Sequence, residues 1–505
     1  MGRLNIRLCG DVSLDVPSFF APAVERADGG LTTRLLIGGE WRPATDDEVF
    51  EDRSPIDGSI VARVAKAAAD DVESAIAAAR QAREAFKGMP ASARLGICQR
   101  GAEILREHRD DFVAAIVADL GKTPDQARSE VHATRDRLGL VREEARKIFG
   151  DYIPGDWIGE SAGKSAVVLR EPVGTVGAFG PFNYPLFLAA SKIIPAIVAG
   201  NTVVAKAPSD DPVAVILFAR ALEEAGLPPG VLNVISGPGG EIGDLLASHP
   251  DVSMVSFTGS SKVGRRIAEV AGPKPMHLEL GGNAAAIVLG DADIDLAVEK
   301  SVLGALKNAG QRCDAISRVL VEESVYDAFV ERALKEADGW TVGDPRADGV
   351  KVGPLVNVKA AAWVNKLVAD AVEKGAQRLS GGEVADAYHQ PTVLADVPLE
   401  ADIAWEETFG PVVSILRVPD LDAALEIANR SRYGLDSAVF TSNLDNAWRA
   451  ARALECGQVT VNDAPAYGVG HFPFGGRKPD SGIGREGLGY SIDECTVLKT
   501  VVMPA

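Results

Sequence analysis

The chain has 505 residues, of which 46% are hydrophobic and 24% are charged. This length suffices for about three structural units with buried cores, and the composition excludes a disordered or fibrous protein. The 71 acidic residues exceed the 52 lysines and arginines, so the net charge of −19 disfavours binding to nucleic acid. The five cysteines have no CxxC spacing, which is typical of free thiols in a reducing compartment and predicts no metal site.

The start of the chain shows no regular pattern. Residues 1–33 are predicted to form an irregular N-terminal arm, without the apolar core of a secretory signal. The most apolar window, Leu186 to Ala205, is interrupted by Lys192 and Pro195 and is therefore too broken to span a membrane. These features predict a cytoplasmic protein that does not interact with membranes.

A helical region comes next. From Ala68 to Gly150 apolar residues recur at spacings of three and four, which predicts amphipathic helices. Residues 151–171 are rich in glycine and aromatic residues, a composition that fits either a β-hairpin leaving the globule or a surface loop. Much later, residues 495–503 (CTVLKTVVM) form a candidate edge strand.

Strand and helix patterns alternate through the rest of the chain. From Val173 to Gly282 the order βαβα predicts an α/β fold with a doubly wound parallel sheet. From about Asn283 to Gly475 the alternation is repeated, which predicts a second unit of the same kind. Ligands of such sheets bind at the carboxyl ends of the strands.

Cys313 is the cysteine with the most unusual neighbours. Gly310 permits an unusual backbone turn beside it, and Arg312 places a cation next to the thiol, which is expected to favour the thiolate. An inert buried cysteine is the alternative.

Three further polar residues interrupt apolar segments. Glu279 is a lone carboxylate in a strand-like run, where it is either a base facing a dry site or an outward-facing residue. His277, two positions earlier, is assigned no role. Asn183 follows a predicted strand, where its amide is either a donor to an oxyanion or a helix N-cap.

Two glycine-rich turns are candidate phosphate cradles. They cover residues 236–240 (SGPGG) and 257–264 (FTGSSKVG), each between a strand and a helix. Neither contains GxGxxG, and each alone is equally compatible with a plain turn.

Five motifs occur together in a fixed order: GPFNYP (180–185), FTGSSKVG (257–264), LELGG (278–282), GQRC (310–313) and EETFGP (406–411). In this order they resemble the aldehyde dehydrogenase superfamily from about Leu35 to Val502. The separation of Glu279 and Cys313, 313 − 279 = 34, is also that of the family. The resemblance implies an enzyme with two doubly wound parallel-sheet domains and a β-hairpin and tail that form an oligomerisation element.

The resemblance also implies a mechanism. Cys313 adds to an aldehyde, the Asn183 amide and the Cys313 backbone N–H hold the oxyanion, and Glu279 activates the water that hydrolyses the thioester. Lys192 matches a lysine for which the family suggests a proton-relay role. The residues that resemble the family's dinucleotide site are Phe179, Phe182, Lys206, Ser209, Gly239, Gly259, Ser260, Gly264, Leu280, Glu407 and Phe409.

Cofactor preference has one physical indication. Many members that use NAD carry a glutamate three residues after the lysine, whereas this chain has Ser209 after Lys206. A carboxylate there repels a 2′-phosphate, while serine and lysine can bind it. The sequence therefore predicts NADP, with NAD as a second cofactor.

Five stretches resemble the archaeal-type non-phosphorylating glyceraldehyde-3-phosphate dehydrogenases: GDYIPGDW (150–157), PFNYPLF (181–187), GQRCDAI (310–316), YGLDSAVF (433–440) and FPFGGRK (472–478). Tyr184 and Arg312 match the phosphate-binding positions of that group, and either Arg135 or Arg137 is a candidate second charge. Tyr467 stands where bacterial relatives have an arginine.

Other activities stay open. The first alternative is oxidation of a small unphosphorylated aldehyde, such as lactaldehyde or succinate semialdehyde. A silent structural relative and a CoA-acylating member fit less well, because Cys313, Glu279 and Asn183 are all present.

The resemblance gives a division of the chain and a homotetramer or homodimer as the expected assembly. The expected parts are the arm at 1–33, a dinucleotide-binding domain at 34–148 and 172–282, a catalytic domain at 283–482, and an oligomerisation element at 149–171 and 483–505.

Overall fold

The structure is a computed structural model that describes residues 4, 6–27, 30–466 and 470–504. Gly29, at the end of the predicted arm, and Tyr467 lie outside these residues. No helix within them is long and apolar enough to cross a membrane.

Strands occur along the whole described chain. In chain order they are β1 (Val24–Ala27), β2 (Gly30–Thr33), β3 (Leu35–Ile37), β4 (Glu40–Arg42), β5 (Val49–Arg53), β6 (Ile60–Ala65), β7 (Asp151–Pro154), β8 (Lys164–Pro172), β9 (Thr175–Phe179), β10 (Thr202–Lys206), β11 (Leu232–Ile235), β12 (Met254–Thr258), β13 (Met276–Glu279), β14 (Ala284–Val288), β15 (Ile316–Glu322), β16 (Gln377–Ser380), β17 (Val384–Ala385), β18 (Tyr388–His389), β19 (Thr392–Ala395), β20 (Val412–Val418), β21 (Asp436–Phe440), β22 (Gln458–Val461), β23 (Gly482–Ile483) and β24 (Thr496–Pro504).

The helices fill the segments between strands. In chain order they are α1 (Ala69–Lys87), α2 (Ala91–Glu107), α3 (Arg109–Leu120), α4 (Pro124–Gly139), α5 (Val141–Glu144), α6 (Pro185–Ala199), α7 (Val213–Glu224), α8 (Gly239–Ser248), α9 (Ser261–Ala271), α10 (Ile294–Leu306), α11 (Tyr326–Asp338), α12 (Val358–Glu373), α13 (Leu421–Asn429), α14 (Leu444–Ala453) and α15 (Leu488–Glu494).

The first large sheet has the order β23-β13-β12-β9-β10-β11-β3-β4. Its central strands β13, β12, β9, β10 and β11 run parallel, while β3 and β23 pair antiparallel at the two sides. Every residue of β9, β10 and β12 is buried, because helices cover both faces of such a sheet. The predicted doubly wound sheet is confirmed, and its strand order reverses between β9 and β12.

The second large sheet has the order β16-β19-β20-β15-β14-β21-β22. The strands from β19 to β22 run parallel, and β16 is an antiparallel edge. The prediction of a second α/β unit is therefore confirmed.

The start of the chain is more ordered than expected. β1 and β2 join β6 and β5 in a four-stranded sheet, and Phe20 is fully buried beside it. The prediction that residues 1–33 are wholly irregular is wrong for these strands. Strands of four residues contain too few alternations to show a period, and pairing with the distant β6 defines β2.

The hairpin and the tail form a small sheet of their own. β7 pairs antiparallel with β8, and β24 pairs with β8 along nine residue pairs, in the order β24-β8-β7. Of the two interpretations of residues 151–171, the structure has the hairpin. The candidate edge strand in the tail is confirmed.

Candidate functional site

A cleft of about 820 Å³ lies at the carboxyl ends of β9, β10 and β12, where the strand order reverses. This is the position at which open parallel sheets bind ligands. Its lining residues include Phe179, Phe182, Asn183, Lys206, Ser209, Asp210, Gly239, Gly259, Ser260, Leu280, Cys313, Glu407 and Phe409. The structure thus brings together every predicted dinucleotide residue except Gly264.

Gly264 lies beneath the cleft rather than in its wall. It is buried on α9, and a Cβ at this position would lie 2.2 Å from Leu280 Cδ2. The glycine therefore lets α9 approach the cleft-lining Leu280 closely. Ser260 caps the same helix by accepting a hydrogen bond from the Val263 N–H at 3.4 Å. The backbone N–H groups at such a helix start favour an anion such as a pyrophosphate.

Lys206 ends β10 in the wall of the cleft. Its Nζ donates to the Ala207 carbonyl at 2.9 Å and to Ser209 Oγ at 3.3 Å. Burial lowers the pKa of Lys206 to about 8, an effect that the nearby Asp210 carboxylate opposes. A cation and a hydroxyl group adjoin each other as the sequence predicted, and the motif comparison missed the carboxylate that follows them.

Glu407 and Phe409 come from the second α/β unit. Glu407 Oε1 accepts a hydrogen bond from the Gly282 N–H at 3.0 Å, and burial raises the pKa of this carboxyl group to about 7. The Phe409 ring lies edge-on to Phe182, with 5.9 Å between the ring centroids. The cleft is therefore closed by side chains from both α/β units. These residues fit a dinucleotide: helix starts for phosphates, a lysine and an acid for ribose groups, and aromatic rings for a flat base.

Cys313 follows a tightly folded turn. Asn308 and Ala309 have left-handed φ values of 57° and 54°, and Gly310 continues the turn with a φ of 72°. A Cβ on Gly310 would lie 2.1 Å from the Gly410 carbonyl oxygen, so only glycine fits this approach. Asn183 Nδ2 donates to the Gln311 carbonyl at 2.9 Å and ties the turn to the end of the first sheet. An amide has a second N–H, which is the donor that an oxyanion requires.

The expected effect of Arg312 on the thiol is wrong. Its guanidinium pairs with Asp314, with Nε and Oδ1 at 2.9 Å, and also donates to the Pro465 carbonyl at 2.9 Å. Burial raises the pKa of Cys313 well above its ordinary value, and the Asp314 charge raises it further. Arg312 does adjoin Cys313 in the chain, but the Asp314 carboxylate compensates its positive charge.

Glu279 ends β13 in a dry position next to Cys313. It is 3% exposed, and neither carboxylate oxygen has a hydrogen-bond partner among the described residues. Burial raises its pKa well above the ordinary value, and the charge of Glu486 adds to this while Lys192 opposes it. Glu279 is therefore buried and does not face outward, which agrees with the burial that one of its two interpretations requires.

Lys192 lies on α6 and does not line the cleft. Its Nζ donates to Glu486 Oε1 at 2.7 Å, and both side chains are almost fully buried. Burial by itself would raise the pKa of Glu486, but the charge of Lys192 outweighs it and the pKa falls to about 2. The motifs gave no indication of Glu486, which lies 294 residues further along the chain.

Tyr184 is near Arg312 and Cys313, because the charges of both residues act on its pKa. The Lys122 ammonium lies 3.5 Å from the centre of the Tyr184 ring and pairs with the buried Glu130 at 2.6 Å. Burial raises the pKa of Tyr184. The positive charge of Lys122 beside Tyr184 is therefore already compensated by Glu130.

The structure separates the two candidate arginines of α4. Arg137 is buried, donates to the Gly470 carbonyl at 3.3 Å and lies 5.6 Å from the Phe187 ring centre. Arg135 instead lines a separate surface cleft and pairs with Asp136 at 2.7 Å. Of the two alternatives only Arg137 faces the interior.

The sequence comparison also missed Lys307. This lysine begins the turn that leads to Cys313, and no ion pair of its ammonium occurs within the described residues. Lys307 is exposed. Partial desolvation lowers its pKa all the same, and the positive charge of Arg312 lowers it further, so the two cations are near each other. Within the described residues no group of His, Cys, Asp and Glu side chains is arranged to hold a metal ion.

The fold and the site define a class of protein. Residues 41–501 match the aldehyde dehydrogenase family, and the chain belongs to that family.

Within the family, the chain is similar to enzymes that act on different aldehydes. It is 38% identical to an NADP-dependent glyceraldehyde-3-phosphate dehydrogenase of Streptococcus equinus, over 92% of this chain and 97% of that protein. It is 36% identical to a mitochondrial succinate-semialdehyde dehydrogenase of Arabidopsis thaliana, over 98% and 93% respectively. The crystal structure of an NADP-dependent glyceraldehyde-3-phosphate dehydrogenase from Bacillus halodurans C-125 with NADP has a TM-score of 0.91, at 38% identity over 93% of this chain and 99% of that one.

Proposed function

We propose that this aldehyde dehydrogenase oxidises glyceraldehyde 3-phosphate to 3-phosphoglycerate with NADP and without inorganic phosphate. One observation carries the proposal: the thiol of Cys313 lines a dinucleotide-sized cleft that also contains Lys206 and Ser209. The similarity to an NADP-dependent glyceraldehyde-3-phosphate dehydrogenase supports the choice of aldehyde and cofactor.

Cys313 is the proposed nucleophile. Because its pKa is raised, a base must take the thiol proton before the sulfur attacks the aldehyde carbon. Glu279 is close enough to affect the pKa of Cys313 through its charge, which makes it the candidate acceptor. The carbonyl oxygen then becomes negative, and the second N–H of Asn183 is the proposed donor to it.

A dinucleotide bound among the cleft residues would supply the hydride acceptor beside Cys313. Lys206, Ser209 and the start of α9 would hold its adenosine and phosphate end, and Glu407 its nicotinamide ribose. Once Cys313 carries an acyl group as a thioester, Glu279 takes a proton from water, whose oxygen attacks the acyl carbon. The C–S bond breaks, and the acid is released.

The preference for NADP rests on the Lys206 ammonium and the Ser209 hydroxyl group, which are 3.3 Å apart. Together they offer a charge and donors to a 2′-phosphate. Asp210 acts in the opposite direction because its carboxylate also lines the cleft. NAD is therefore proposed as a weaker second cofactor.

The anionic end of the substrate needs a cation that is not already compensated. Arg312 is paired with Asp314, and Lys122 is paired with Glu130. We therefore assign the main phosphate contact to Lys307, with Tyr184 and Arg312 as neighbours. This assignment also admits a carboxylate, so succinate semialdehyde is the second candidate substrate.

The discriminating assay measures NADPH formation from three aldehydes without added inorganic phosphate. Glyceraldehyde 3-phosphate is expected to give the highest kcat/KM, above succinate semialdehyde and lactaldehyde. Cys313→Ser should abolish the reaction with every aldehyde. A higher kcat/KM for either unphosphorylated aldehyde would contradict the proposed substrate but not the proposed nucleophile.

The role of Lys307 is tested by Lys307→Met, with Arg135→Met as the matched control on the outer face of α4. The first variant is expected to raise KM for glyceraldehyde 3-phosphate about tenfold while KM for lactaldehyde stays unchanged, because a charge-assisted hydrogen bond to the anion contributes roughly 1.5–3 kcal/mol. Equal changes for both aldehydes, or equal effects of both variants, would contradict the assignment.

The small sheet of β7, β8 and β24 is proposed to extend the sheet of a second copy. Trp157, beside β7, is 88% exposed, and Leu498 and Val502 on β24 are also exposed. Exposed edges and apolar side chains of this kind are normally covered. Light scattering after size-exclusion chromatography should give a dimer or a tetramer, and a monomer would contradict this.

A further inference from the structure

His277 lies two residues before Glu279 on β13, so that both side chains emerge on the same face of the sheet. The imidazole is 3% exposed, and its Nε2 lies 3.5 Å from Glu279 Oε1 and 3.7 Å from Glu486 Oε1. Nε2 has no hydrogen-bond partner among the described residues. The mechanism given above does not use this histidine, although it adjoins the proposed base.

The other ring nitrogen leads toward the surface. His277 Nδ1 is 2.5 Å from Glu494 Oε2, at the end of α15. The Glu494 side chain is 29% exposed, whereas Glu279 and Glu486 are almost fully buried. One imidazole therefore joins the buried base to a carboxylate that reaches solvent. This contact spans 217 residues of the chain.

A small cavity adjoins the histidine. It has a volume of about 10 Å³, close to the space that one water molecule needs, and its walls include Lys192, His277, Glu486, Ser491 and Glu494. Ser491 Oγ is buried there without a hydrogen-bond partner among the described residues. A polar cavity of this size with unpartnered groups is suited to a water molecule that exchanges protons with the ring.

The alternative route through Glu486 is less suited to accept the proton. Glu486 Oε1 already accepts hydrogen bonds from Lys192 Nζ at 2.7 Å and from Ser191 Oγ at 3.0 Å. A carboxylate held in its charged form by an ammonium is a weak proton acceptor. The free Nε2 of His277 is the neighbouring group that can take a proton.

We propose that His277 and Glu494 form a proton outlet for Glu279 during hydrolysis of the acyl-enzyme. This inference rests on the proposed role of Glu279 as the base. Water gives a proton to Glu279 while its oxygen bonds to the acyl carbon, and the C–S bond breaks with its electron pair on the sulfur, so that Cys313 leaves as a thiolate. The proton passes from Glu279 to Nε2 of His277, the Nδ1 proton passes to Glu494, and Glu494 releases it to solvent. A water molecule bound in the cavity would return the ring to its starting tautomer.

The charges around the outlet fit this direction. Glu279, Glu486 and Glu494 surround the ring, and Lys192 is paired with Glu486. Arg485 donates its backbone N–H to Glu494 at 2.9 Å, and its positive charge lowers the pKa of Glu279. Burial raises the pKa of Glu279, so its proton must be removed actively before the next turnover.

The test follows a preformed acyl-enzyme by rapid quenching and mass spectrometry, so that hydrolysis is observed separately from NADPH formation. His277→Gln and Glu494→Gln are compared with Asp493→Asn, a matched control beside Glu494 that pairs with Arg170. Hydrolysis is expected to slow at least about tenfold in the first two variants, since positioned proton transfer contributes typically 10²–10⁴-fold. The initial burst of NADPH should keep its wild-type rate in all three.

A second measurement separates proton transfer from structural support. In His277→Gly, added imidazole is expected to restore hydrolysis, whereas pyrazole, a ring of the same size and much weaker basicity, is not. Equal rescue by both rings, a lost burst, or hydrolysis at the wild-type rate in His277→Gln and Glu494→Gln would overturn the proposal. Glu279→Gln tests the base itself: if its acyl-enzyme hydrolyses normally, the proposed role of Glu279 fails first, whatever His277 does.

Discussion

The cleft that Cys313 lines and the buried cluster around Glu279 differ in how their charges are matched. In the cleft, Lys206 and Glu407 have no ion pair among the described residues. Burial lowers the pKa of Lys206 to about 8 and raises that of Glu407 to about 7, so both groups are close to losing their charge. In the buried cluster around Glu279, by contrast, a cation and an anion are paired. Lys192 pairs with Glu486 at 2.7 Å in an equally buried position.

The difference shows what each region does. A buried group without a partner is costly, and it is retained where a ligand can complete it. A buried pair is already complete, so it holds geometry rather than a ligand. Glu279 is the exception within the paired region, since its oxygens have no hydrogen-bond partner among the described residues. Glu279 is also the residue to which the proposed mechanism assigns proton transfer.

The largest effect is expected from breaking a pair. Lys192→Met removes the ammonium that lies 2.7 Å from the buried Glu486 carboxylate, which should lower the free energy of unfolding by about 3–5 kcal/mol. Denaturant titration measures this, and Lys335→Met, at an exposed lysine on α11, should change it by less than about 0.5 kcal/mol. Equal effects of the two variants would remove the distinction between the regions.

The pH dependence sharpens the same prediction. The pKa of Glu486 is about 2 in the folded protein, below the ordinary value of 4.5, so its stabilising contribution is present above pH 4.5 and is lost as the pH falls toward 2. The difference between wild type and Lys192→Met should therefore shrink over this range. A constant difference would mean that the pair does not stabilise the fold through charge.

A smaller effect, on cofactor preference, is expected from adding a negative charge to the cleft. Ser209→Glu places a carboxylate beside Lys206, and the ratio of kcat/KM for NADP to that for NAD should fall at least about tenfold by repulsion of the 2′-phosphate. Asp210→Asn should move the ratio in the other direction. Ser129→Glu, which adds the same charge on the exposed side of α4, should leave it unchanged. An unchanged ratio in Ser209→Glu would place the 2′-phosphate elsewhere.

The smallest effect is expected on KM for NADP when Lys206 loses its proton. Above pH 8 the ammonium loses its proton, so KM for NADP should rise a few-fold between pH 7 and 9 while KM for NAD changes less. Lys206→Met should remove this step. A step that survives in Lys206→Met would belong to another group.

The cleft could be predicted from sequence because its residues occur in short motifs at the ends of consecutive strands. Phe179, Lys206 and Ser260 each follow a clear strand pattern, and a parallel sheet places such ends at one edge. The two α/β units followed from the same alternation. The N-terminal strands could not be predicted, because they are short and β2 is defined by its pairing with the distant β6.

The charge pairs could not be predicted in the same way. Glu486 and Glu494 lie before and at the end of α15, whose seven residues are too few to show a clear period, and tertiary packing brings the two carboxylates to Lys192 and His277. Arg312 misled for a related reason: the sequence showed the adjacent Asp314 but not that the two side chains pair. Whether a cation is paired with a carboxylate depends on the positions of the side chains, which the structure shows and the sequence does not.

The central claim is that Cys313 carries the acyl group and that Glu279 is needed to release it. The most direct measurement mixes Glu279→Gln with NADP and glyceraldehyde 3-phosphate, quenches the mixture and locates any added mass by peptide mass spectrometry. The account predicts that NADPH forms more slowly than in wild type, because Glu279 also takes the thiol proton, and stops at one equivalent per site, with a 3-phosphoglyceryl adduct on the peptide that contains Cys313. A burst without an adduct, or an adduct on another cysteine such as Cys456, would contradict it.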